Sequence, residues 1–348
     1  MATTECPPVG LGPRTADFVP PRWLANPHLQ TLLASSGLRR RFAARRYHAV
    51  EGAAREYILD CGAGVRLQGF HTAQCSLPQA RGLVVLLHGW EGSAESSYML
   101  GTSARLLRDG CDVFRLNFRD HGATHALNRD LFHSCRLDEV VGAVRAIAQQ
   151  FAPRALALAG FSLGGNFALR VALRAPTTGI DLRCVVAVCP VVSPERGLYG
   201  LEHGLFIYRR YFLHKWRRSL RRKQAAFPDV EWFSTDEYAG DLRELTRSLV
   251  LRHTDFGSLE NYLAGYSIAG DRLRGLALPA AILTAADDPV IPVDDFRGLQ
   301  LPPGIELDIA SHGGHCGFIR GLGRATYAED YVAERVLRHF GSGPEARM

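Results

Sequence analysis

Short runs of apolar residues recur along the chain after residue 80, and several of them contain no polar residue at all. Uninterrupted runs of this kind are typical of strands that are buried on both faces of a parallel sheet. Six strands are predicted in this part of the chain, and two earlier ones form an antiparallel hairpin around residues 62–64. In chain order the eight predicted strands are 55–60, 65–71, 83–87, 113–118, 155–159, 184–189, 280–283 and 305–310.

Helical spacing appears between two of these strands. Apolar side chains recur every three or four positions from Leu137 to Phe151, and Asp138 and Glu139 lie where a helix N-terminus favours negative charge. Strands that alternate with helices form a parallel sheet between two helical layers. The pattern therefore predicts an α/β protein with a mostly parallel eight-stranded sheet that helices cover on both faces.

One long stretch breaks the alternation. No strand is predicted between residues 190 and 279, and roughly ninety residues are too many for a plain connection. We expect a helical cap insertion at about 191–278, inside a single domain that spans 51–340. An arm rich in proline and arginine at 1–50 is expected to pack on this domain, and residues 341–348 are expected to form a tail.

Ser162 stands at the centre of the sequence Gly-Phe-Ser-Leu-Gly, between the predicted strand 155–159 and a helix-forming stretch at 166–173. A serine on such a sharp turn is held in a strained backbone conformation, and flanking glycines remove the Cβ atoms that would clash there. The hydroxyl is then presented at the carboxyl end of the strand. The alternative is an ordinary turn serine, but the strand and the helix around it favour a nucleophile.

A nucleophilic serine of this kind needs an acid and a histidine, which are expected later in the chain in that order. Asp287 and Asp288 follow the predicted strand 280–283. His315 lies on a glycine-rich loop after the strand 305–310. Such a loop can lay the imidazole over the serine, so His315 is the predicted base.

Two aspartates compete for the role of the acid. The acid commonly precedes a proline by four positions, which favours Asp288 before Pro292. Asp287 is then expected to cap a turn. His312, the second histidine of the glycine-rich loop, is expected to form an ordinary hydrogen bond there.

Two backbone amides are predicted to hold a developing negative charge. Leu163 follows the serine at the start of the helix, and Trp90 lies in an H-G-x-x-G loop after the strand 83–87. Each amide of such a pair contributes roughly 3–4 kcal/mol at the transition state. The side chain of Trp90 can belong to the core, because this role uses only its backbone N–H.

Together these motifs resemble the α/β-hydrolase fold over residues 55–340 and, more finely, the YheT-like subfamily. That subfamily includes the mammalian α/β-hydrolase-domain-containing proteins one to three and the yeast medium-chain ester synthases. The segment 20–31 is the most specific part of the resemblance, because a general hydrolase does not need it. The resemblance is carried by residues 20–31, 87–92, 117–119, 132–134, 160–165, 287–289 and 313–318.

The resemblance implies an ester hydrolase or an acyltransferase that acts on short- or medium-chain acyl groups. Ser162, Asp288 and His315 match the catalytic positions of that family. We therefore expect a serine carboxylic-ester hydrolase that works through an acyl-enzyme. Two alternatives stay open: an acyltransferase that passes the acyl group to an alcohol, and a hydrolase-like protein that only binds.

Composition narrows the partners and the compartment. The chain has 348 residues, of which 47% are hydrophobic, and no apolar run is long enough to cross a membrane. A formal charge of +6 without a nucleic-acid motif makes DNA or RNA an unexpected partner. The eight cysteines form no C-x-x-C pair, which indicates reduced thiols and a cytoplasmic location. The histidines lack metal-ligand spacing, so neither a metal ion nor an organic cofactor is expected.

The segment 208–223 mixes aromatic residues with cations inside the predicted insertion. A basic amphipathic helix of this kind can lie on an anionic membrane surface. The other interpretation, which is favoured, is a solvated face whose aromatic residues pack on the body of the protein. Peripheral membrane contact is therefore an open expectation beside the small-molecule ester substrate.

Overall fold

The computed structural model describes residues 13–34 and 36–341. Within these residues the strands join into one sheet, whose members are β1 (Arg14–Thr15), β2 (Arg55–Asp60), β3 (Arg66–Thr72), β4 (Leu83–Leu87), β5 (Asp112–Leu116), β6 (Leu156–Phe161), β7 (Cys184–Val188), β8 (Ala280–Ala285) and β9 (Ile305–Ala310). Their order across the sheet is β1-β9-β8-β7-β6-β4-β5-β3-β2. Neighbours from β1 to β5 in this order are parallel, whereas β3 pairs antiparallel with both β5 and β2.

Helices connect these strands and cover the sheet. Those in the described residues are α1 (Pro27–Ala34), α2 (Gly37–Phe42), α3 (Ala44–Gly52), α4 (Ser97–Arg108), α5 (Leu137–Phe151), α6 (Leu163–Thr178), α7 (Pro194–His203), α8 (Phe206–Ala226), α9 (Thr235–Ala239), α10 (Leu242–His253), α11 (Leu259–Gly265), α12 (Val293–Arg297) and α13 (Tyr327–Phe340). The predicted α/β class and the mostly parallel sheet are therefore confirmed.

The sheet has one strand more than the predicted eight. β1 is two residues long and pairs with β9, with Arg14 opposite Asp308. The guanidinium of Arg14 lies 2.7 Å from a carboxylate oxygen of Glu306 and 2.9 Å from one of Asp308. A strand that ion pairs hold at the sheet edge needs no apolar alternation, so the sequence pattern could not reveal it.

Side chains of the central strands alternate between two apolar layers. In β4, Val85 and Leu87 face the layer that contains α5 and α6, while Val84 and Leu86 face the layer that contains α4 and α13. Both layers exclude water. This explains why a central strand appears in the sequence as an uninterrupted apolar run.

Helices α7 to α11 lie between β7 and β8, in the stretch where the sequence predicts an insertion. They share an apolar core that includes Trp216, Leu245 and Val250. The ammonium group of Lys223 in α8 is buried and joins this core to the body of the protein. It donates to the carboxylate of Asp120 at 2.8 Å and to the carbonyl oxygen of Asp130 at 3.0 Å.

The two ends of the chain are described only in part. The predicted arm 1–50 is described from residue 13, apart from residue 35, and it forms β1, a short 3₁₀ turn, α1, α2 and most of α3. Of the predicted tail 341–348, only Gly341 lies within the described residues, and Cys6 lies outside them. No helix in the described part of the chain is both long and apolar enough to cross a membrane.

Candidate active site

Ser162 occupies the turn between β6 and α6 with a positive φ of 53° and a ψ of −120°. A positive φ strains a residue that has a Cβ atom, and such strain is common at functional sites. A Cβ on Gly160 would lie 2.1 Å from the carbonyl oxygen of Gly164, and a Cβ on Gly164 would lie 2.3 Å from that of Leu87. Gly160 is therefore required for the turn to close on the start of α6, and Gly164 is required for it to pack against the end of β4.

The side chains of Ser162, His315 and Asp288 are joined by hydrogen bonds. The hydroxyl oxygen of Ser162 lies 2.9 Å from Nε2 of His315, and Nδ1 of His315 lies 2.8 Å from Oδ2 of Asp288. The other oxygen of Asp288 accepts the backbone N–H groups of Val290 at 2.8 Å and Ile291 at 3.0 Å. With Nδ1–H donating to the carboxylate, Nε2 is left to accept the hydroxyl proton of the serine.

The surroundings of His315 favour its protonated form. Burial by itself would lower the pKa of His315, but the charge of Asp288, the charge of Cys316 and the hydrogen bond to Asp288 together outweigh burial and raise this pKa to about 9. The side chain of Asp288 is fully buried, so its charge is poorly screened by water. The arrangement stabilises a positive charge on the imidazole of His315.

The loop between β9 and α13, residues 311–326, carries His315 and is called the histidine loop here. Asp287 bonds to this loop and not to the turn in which it lies itself. Its Oδ1 accepts the backbone N–H of Gly314 at 2.9 Å, and its Oδ2 lies 3.4 Å from Nδ1 of His312. Asp287 therefore caps a turn, as expected, but the turn is the one that carries His315 and not the one that follows β8. His312 forms the ordinary loop contact expected of it, and the carboxylate that faces His315 is that of Asp288.

Trp90 and Leu163 line the same cavity as Ser162 and His315. Within residues 13–34 and 36–341, neither N–H has a hydrogen-bond acceptor in the protein. The N–H of Leu163 is free because it belongs to the first turn of a helix, where the backbone offers no acceptor. Unpartnered N–H groups of residues that share a cavity with a serine hydroxyl can donate to an oxygen anion formed there.

Two buried histidines, His88 of the H-G-x-x-G motif and His121, bond to the loop that carries Trp90 or to its surroundings, a role that the sequence pattern does not reveal. Nδ1 of His88 lies 2.7 Å from the carbonyl oxygen of the next residue, and its Nε2 accepts the N–H of Phe118 at 3.2 Å. Nε2 of His121 accepts the N–H of Glu91 at 3.2 Å. Burial lowers the pKa of His88 to about 4 and holds the pKa of His121 well below its usual range. Both histidines are therefore neutral and able to accept these bonds.

A cavity of about 370 Å³ opens at Ser162 and His315. The body of the protein, the insertion and α1 of the arm all contribute to its wall. Glu91 also lines it, and burial raises the pKa of this carboxyl to about 7. The wall is mostly apolar and includes Leu32, Phe132, Leu198, Phe212, Trp216, Leu249 and Tyr262.

Comparison with known proteins assigns the family. The sequence model of the alpha/beta hydrolase family matches residues 84–325. The chain belongs to the alpha/beta hydrolase family. It is also 27% identical over 316 residues to "Putative esterase YheT" of Escherichia coli (strain K12), a match that covers 88% of each chain. The predicted YheT-like resemblance is confirmed, and the chain is an enzyme of the α/β-hydrolase type.

Solved structures of α/β hydrolases share the fold at low sequence identity. The esterase Pf2001 of Pyrococcus furiosus has a TM-score of 0.54 and 14% identity, and the match covers 95% of this chain and all (100%) of that one. The 2,6-dihydroxy-pseudo-oxynicotine hydrolase has a TM-score of 0.56 and 17% identity, over 86% of this chain and 74% of that one. Est1E of Butyrivibrio proteoclasticus, solved with ferulic acid, has a TM-score of 0.51 and 15% identity, over 82% and 100%.

One group of metal-ligating atoms lies beside the serine of this α/β hydrolase. Among the described residues, the ligand atoms of Cys189, His315 and Cys316 lie within 4.8 Å of one another. The two ring nitrogens of His315 are already engaged by Asp288 and Ser162. A metal ion held there would replace one of these hydrogen bonds, so the arrangement favours proton transfer over metal binding.

Proposed function

We propose that this α/β hydrolase is a serine carboxylic-ester hydrolase that cleaves short- or medium-chain acyl esters through an acyl-enzyme. The observation that carries the proposal is the continuous chain of hydrogen bonds from Ser162 through His315 to Asp288, beside an apolar cavity. The name of the YheT relative supports an ester as the substrate. The limited volume of the cavity, about 370 Å³, supports a short or medium acyl chain.

In the first half-reaction, Nε2 of His315 takes the proton of Ser162 while Oγ attacks the carbonyl carbon of the ester. The carbonyl oxygen becomes an anion, to which the N–H groups of Trp90 and Leu163 donate. Asp288 orients Nδ1–H and stabilises the imidazolium. The bond between the carbonyl carbon and the alcohol oxygen then breaks, and the alcohol leaves with the proton from Nε2.

In the second half-reaction, water attacks the acyl carbon and gives a proton to Nε2 of His315. The ester bond to Ser162 breaks, the serine recovers its proton and the acid leaves. An alcohol in place of water would produce a new ester, which is the acyltransferase alternative. Hydrolysis of p-nitrophenyl esters from acetate to palmitate with added ethanol separates the two: free acid supports the hydrolase, and ethyl ester supports the acyltransferase.

Removal of the nucleophile tests the proposal directly. Ser162→Ala should lower ester hydrolysis by on the order of 10⁴-fold or more, because the fold stays intact and only the attacking oxygen is lost. A fluorophosphonate probe should label the wild-type protein and not this variant. Equal labelling of the two proteins would contradict the assignment of Ser162. A folded wild-type protein that neither hydrolyses these esters nor reacts with the probe would support the binding-only alternative.

We also propose a cytoplasmic location, contact with a membrane surface and a role for the helical insertion. The seven cysteines in the described part of the chain are free thiols, which supports a reducing, cytoplasmic setting. Phe206, Ile207 and Tyr211 are exposed at the start of α8, which supports peripheral contact with an anionic membrane. Tyr211 also lines the cavity, so this contact would bring a lipid surface to the cavity mouth. Helices α7 to α11 are proposed to serve as the cap of the 51–340 domain.

A further inference from the structure

The segment 26–31 of the arm belongs to the most specific part of the sequence resemblance, and the proposed chemistry leaves it without a role. Its first residues build the start of α1. The side chain of Asn26 accepts two backbone N–H groups of the first turn, at 3.0 and 3.1 Å. Pro27 is the first helical residue, where a helix has no partner for the N–H that proline lacks. The segment therefore forms a well-capped helix, and its later residues contact the loop of His315.

Thr31 is bonded to the backbone of the proposed general base. Its hydroxyl donates to the carbonyl oxygen of Pro27 at 2.8 Å. The same oxygen accepts the backbone N–H of His315 at 2.9 Å. Because the first bond uses the hydroxyl hydrogen, the lone pairs of the oxygen are left to face the histidine. A single side chain thus joins α1 to the peptide unit that carries the imidazole.

Gln30 holds the same loop four residues further on. This side chain is fully buried, and its Oε1 accepts the N–H of Ile319 at 2.7 Å. Its Nε2 donates to the carbonyl oxygens of Ile319 at 3.2 Å and Leu24 at 2.8 Å. Two bonds to one residue fix both its position and its orientation. The histidine loop is therefore attached to α1 at His315 and again at Ile319.

Two glycines of the histidine loop allow α1 to approach this closely. A Cβ on Gly314 would lie 2.4 Å from the carbonyl oxygen of Pro27. A Cβ on Gly317 would lie 2.8 Å from the carbonyl oxygen of Gln30. Neither distance is compatible with a side chain. The glycines beside His315 therefore serve the contact with the arm as well as the turn of their own loop.

Helix α1 also reaches the insertion and the cavity. Nδ1 of His28 lies 2.9 Å from the hydroxyl oxygen of Tyr208 in α8. Leu32 contributes to the wall of the cavity. The helix thus stands between the histidine loop, the insertion and the space next to the serine, although it lies more than a hundred residues from each of them in the sequence.

We propose that α1 is a positioning element for the reaction, in which Thr31 fixes the backbone of His315 so that its imidazole stays in line between Asp288 and Ser162. The inference rests on the proposed function, in which His315 is the general base. The rate of proton transfer along such a series of hydrogen bonds depends strongly on geometry, since a displacement of about 1 Å can lower a rate by about 100-fold. The segment 26–31 is required because it supplies the acceptor for the histidine backbone at a fixed place.

A pair of substitutions at Thr31 tests this role. Thr31→Val removes the acceptor and keeps the shape of the side chain, whereas Thr31→Ser keeps the acceptor. The valine variant should lower kcat by about 10- to 100-fold, because proton transfer is disturbed. Thr31 also lines the cavity, and valine keeps the volume of this side chain, so KM should change by no more than about twofold. The serine variant should keep kcat within about threefold of the wild-type value.

The pH dependence of the rate gives a readout that a merely structural role would not change. A displaced imidazole is held less closely by the charge of Asp288, which contributes most, ahead of Cys316, to raising the pKa of His315 against burial. The acid limb of the pH–rate profile of Thr31→Val should therefore move to lower pH. The profile of Thr31→Ser should match that of the wild-type protein.

Thr178→Val is the matched control. Thr178 is also a helical threonine whose hydroxyl donates to the carbonyl oxygen four residues earlier, that of Arg174 at 2.9 Å. It ends α6 at the opposite end from Ser162, so the control variant should keep the wild-type kcat. An equal loss of kcat in Thr31→Val and Thr31→Ser, or in Thr31→Val and Thr178→Val, would overturn the proposal.

The Ser162→Ala variant separates a failure of this inference from a failure of the proposed function. If Ser162→Ala is inactive while folded Thr31→Val has the wild-type kcat and pH profile, the positioning role alone is wrong. If Ser162→Ala keeps its activity, the proposed function itself is wrong. Melting temperatures are measured for every variant. Should Thr31→Val not fold, Thr31→Ala is compared with Thr178→Ala by the same readouts and the same criteria.

Discussion

Asp287 and Asp288 are adjacent in the sequence, but their carboxylates have different partners. Asp288 is bonded to the imidazole of His315, and Asp287 is bonded to the backbone N–H of Gly314. Both therefore hold the same loop, one through a side chain and the other through the main chain. The proline spacing favours Asp288 correctly as the partner of His315, but no pattern in the sequence indicates what Asp287 contacts.

The two aspartates are expected to respond differently to the same substitution. Asp288→Asn should favour the wrong imidazole tautomer and lower kcat by roughly 10⁴-fold. Asp287→Asn keeps an oxygen that can accept the Gly314 N–H, so activity should be largely retained and stability should fall by at most about 1–2 kcal/mol. Steady-state kinetics at matched folded concentration and urea unfolding measure both. An inactive Asp287→Asn beside an active Asp288→Asn would move the acid one residue earlier.

In the proposed mechanism, the charge on His315 sets the pH dependence of the reaction. Burial lowers the pKa of His315, but the charges of Asp288 and Cys316 and the hydrogen bond to Asp288 together raise it to about 9. Only the neutral imidazole can accept the serine proton, so kcat/KM should increase as the pH rises through this pKa. The midpoint should lie clearly above the value of about 6.5 that is typical of histidine. A pH–rate profile with its midpoint at or below that value would contradict the prediction.

At the scale of elements, α8 distributes its cations between two environments. Lys223 is buried against Asp120, and Lys215 donates to the carbonyl oxygen of Glu91 at 2.8 Å. Arg217 donates to the carbonyl oxygen of Gly240 at 2.7 Å. Part of the basic segment 208–223 is therefore bonded to other parts of the protein and is not free to face solvent or a membrane. The arginines of α8 that stay exposed are Arg209, Arg210, Arg218, Arg221 and Arg222.

The exposed arginines allow a sharp test of membrane contact. Replacement of Arg209, Arg210, Arg218 and Arg221 by glutamine should abolish salt-sensitive binding to vesicles that contain phosphatidylserine, because each surface cation contributes about 1 kcal/mol. Hydrolysis of a soluble short ester should barely change. The control replaces four exposed arginines outside α8 and so removes the same charge: Arg108, Arg183, Arg274 and Arg297. If the wild-type protein does not bind these vesicles at low salt, the membrane contact is wrong and α8 presents a solvated face.

At the scale of the whole molecule, the site is assembled from parts that are distant in the chain. Parallel strands present their carboxyl ends at one edge of a sheet, so residues that follow different strands converge there. This rule brings Trp90, Ser162 and His315 to one cavity from three separate loops, and Asp288 reaches His315 from a fourth. The wall of the cavity beside them also includes residues of the insertion and of the arm. The positions of these two segments do not follow from the order of the strands.

The sequence alone determined the α/β class, the eight strands of the main sheet to within two residues at each end, and the three side chains that hydrogen bonds join. These features are encoded locally, because burial on both faces requires apolar runs and a serine turn requires its glycines. The tertiary structure alone decided that β1 joins the sheet, that buried histidines support the Trp90 loop and that Thr31 bonds to His315. These contacts join residues far apart in the chain through single hydrogen bonds or ion pairs. Such pairings leave no periodic signal, so only the packed fold brings the partners together.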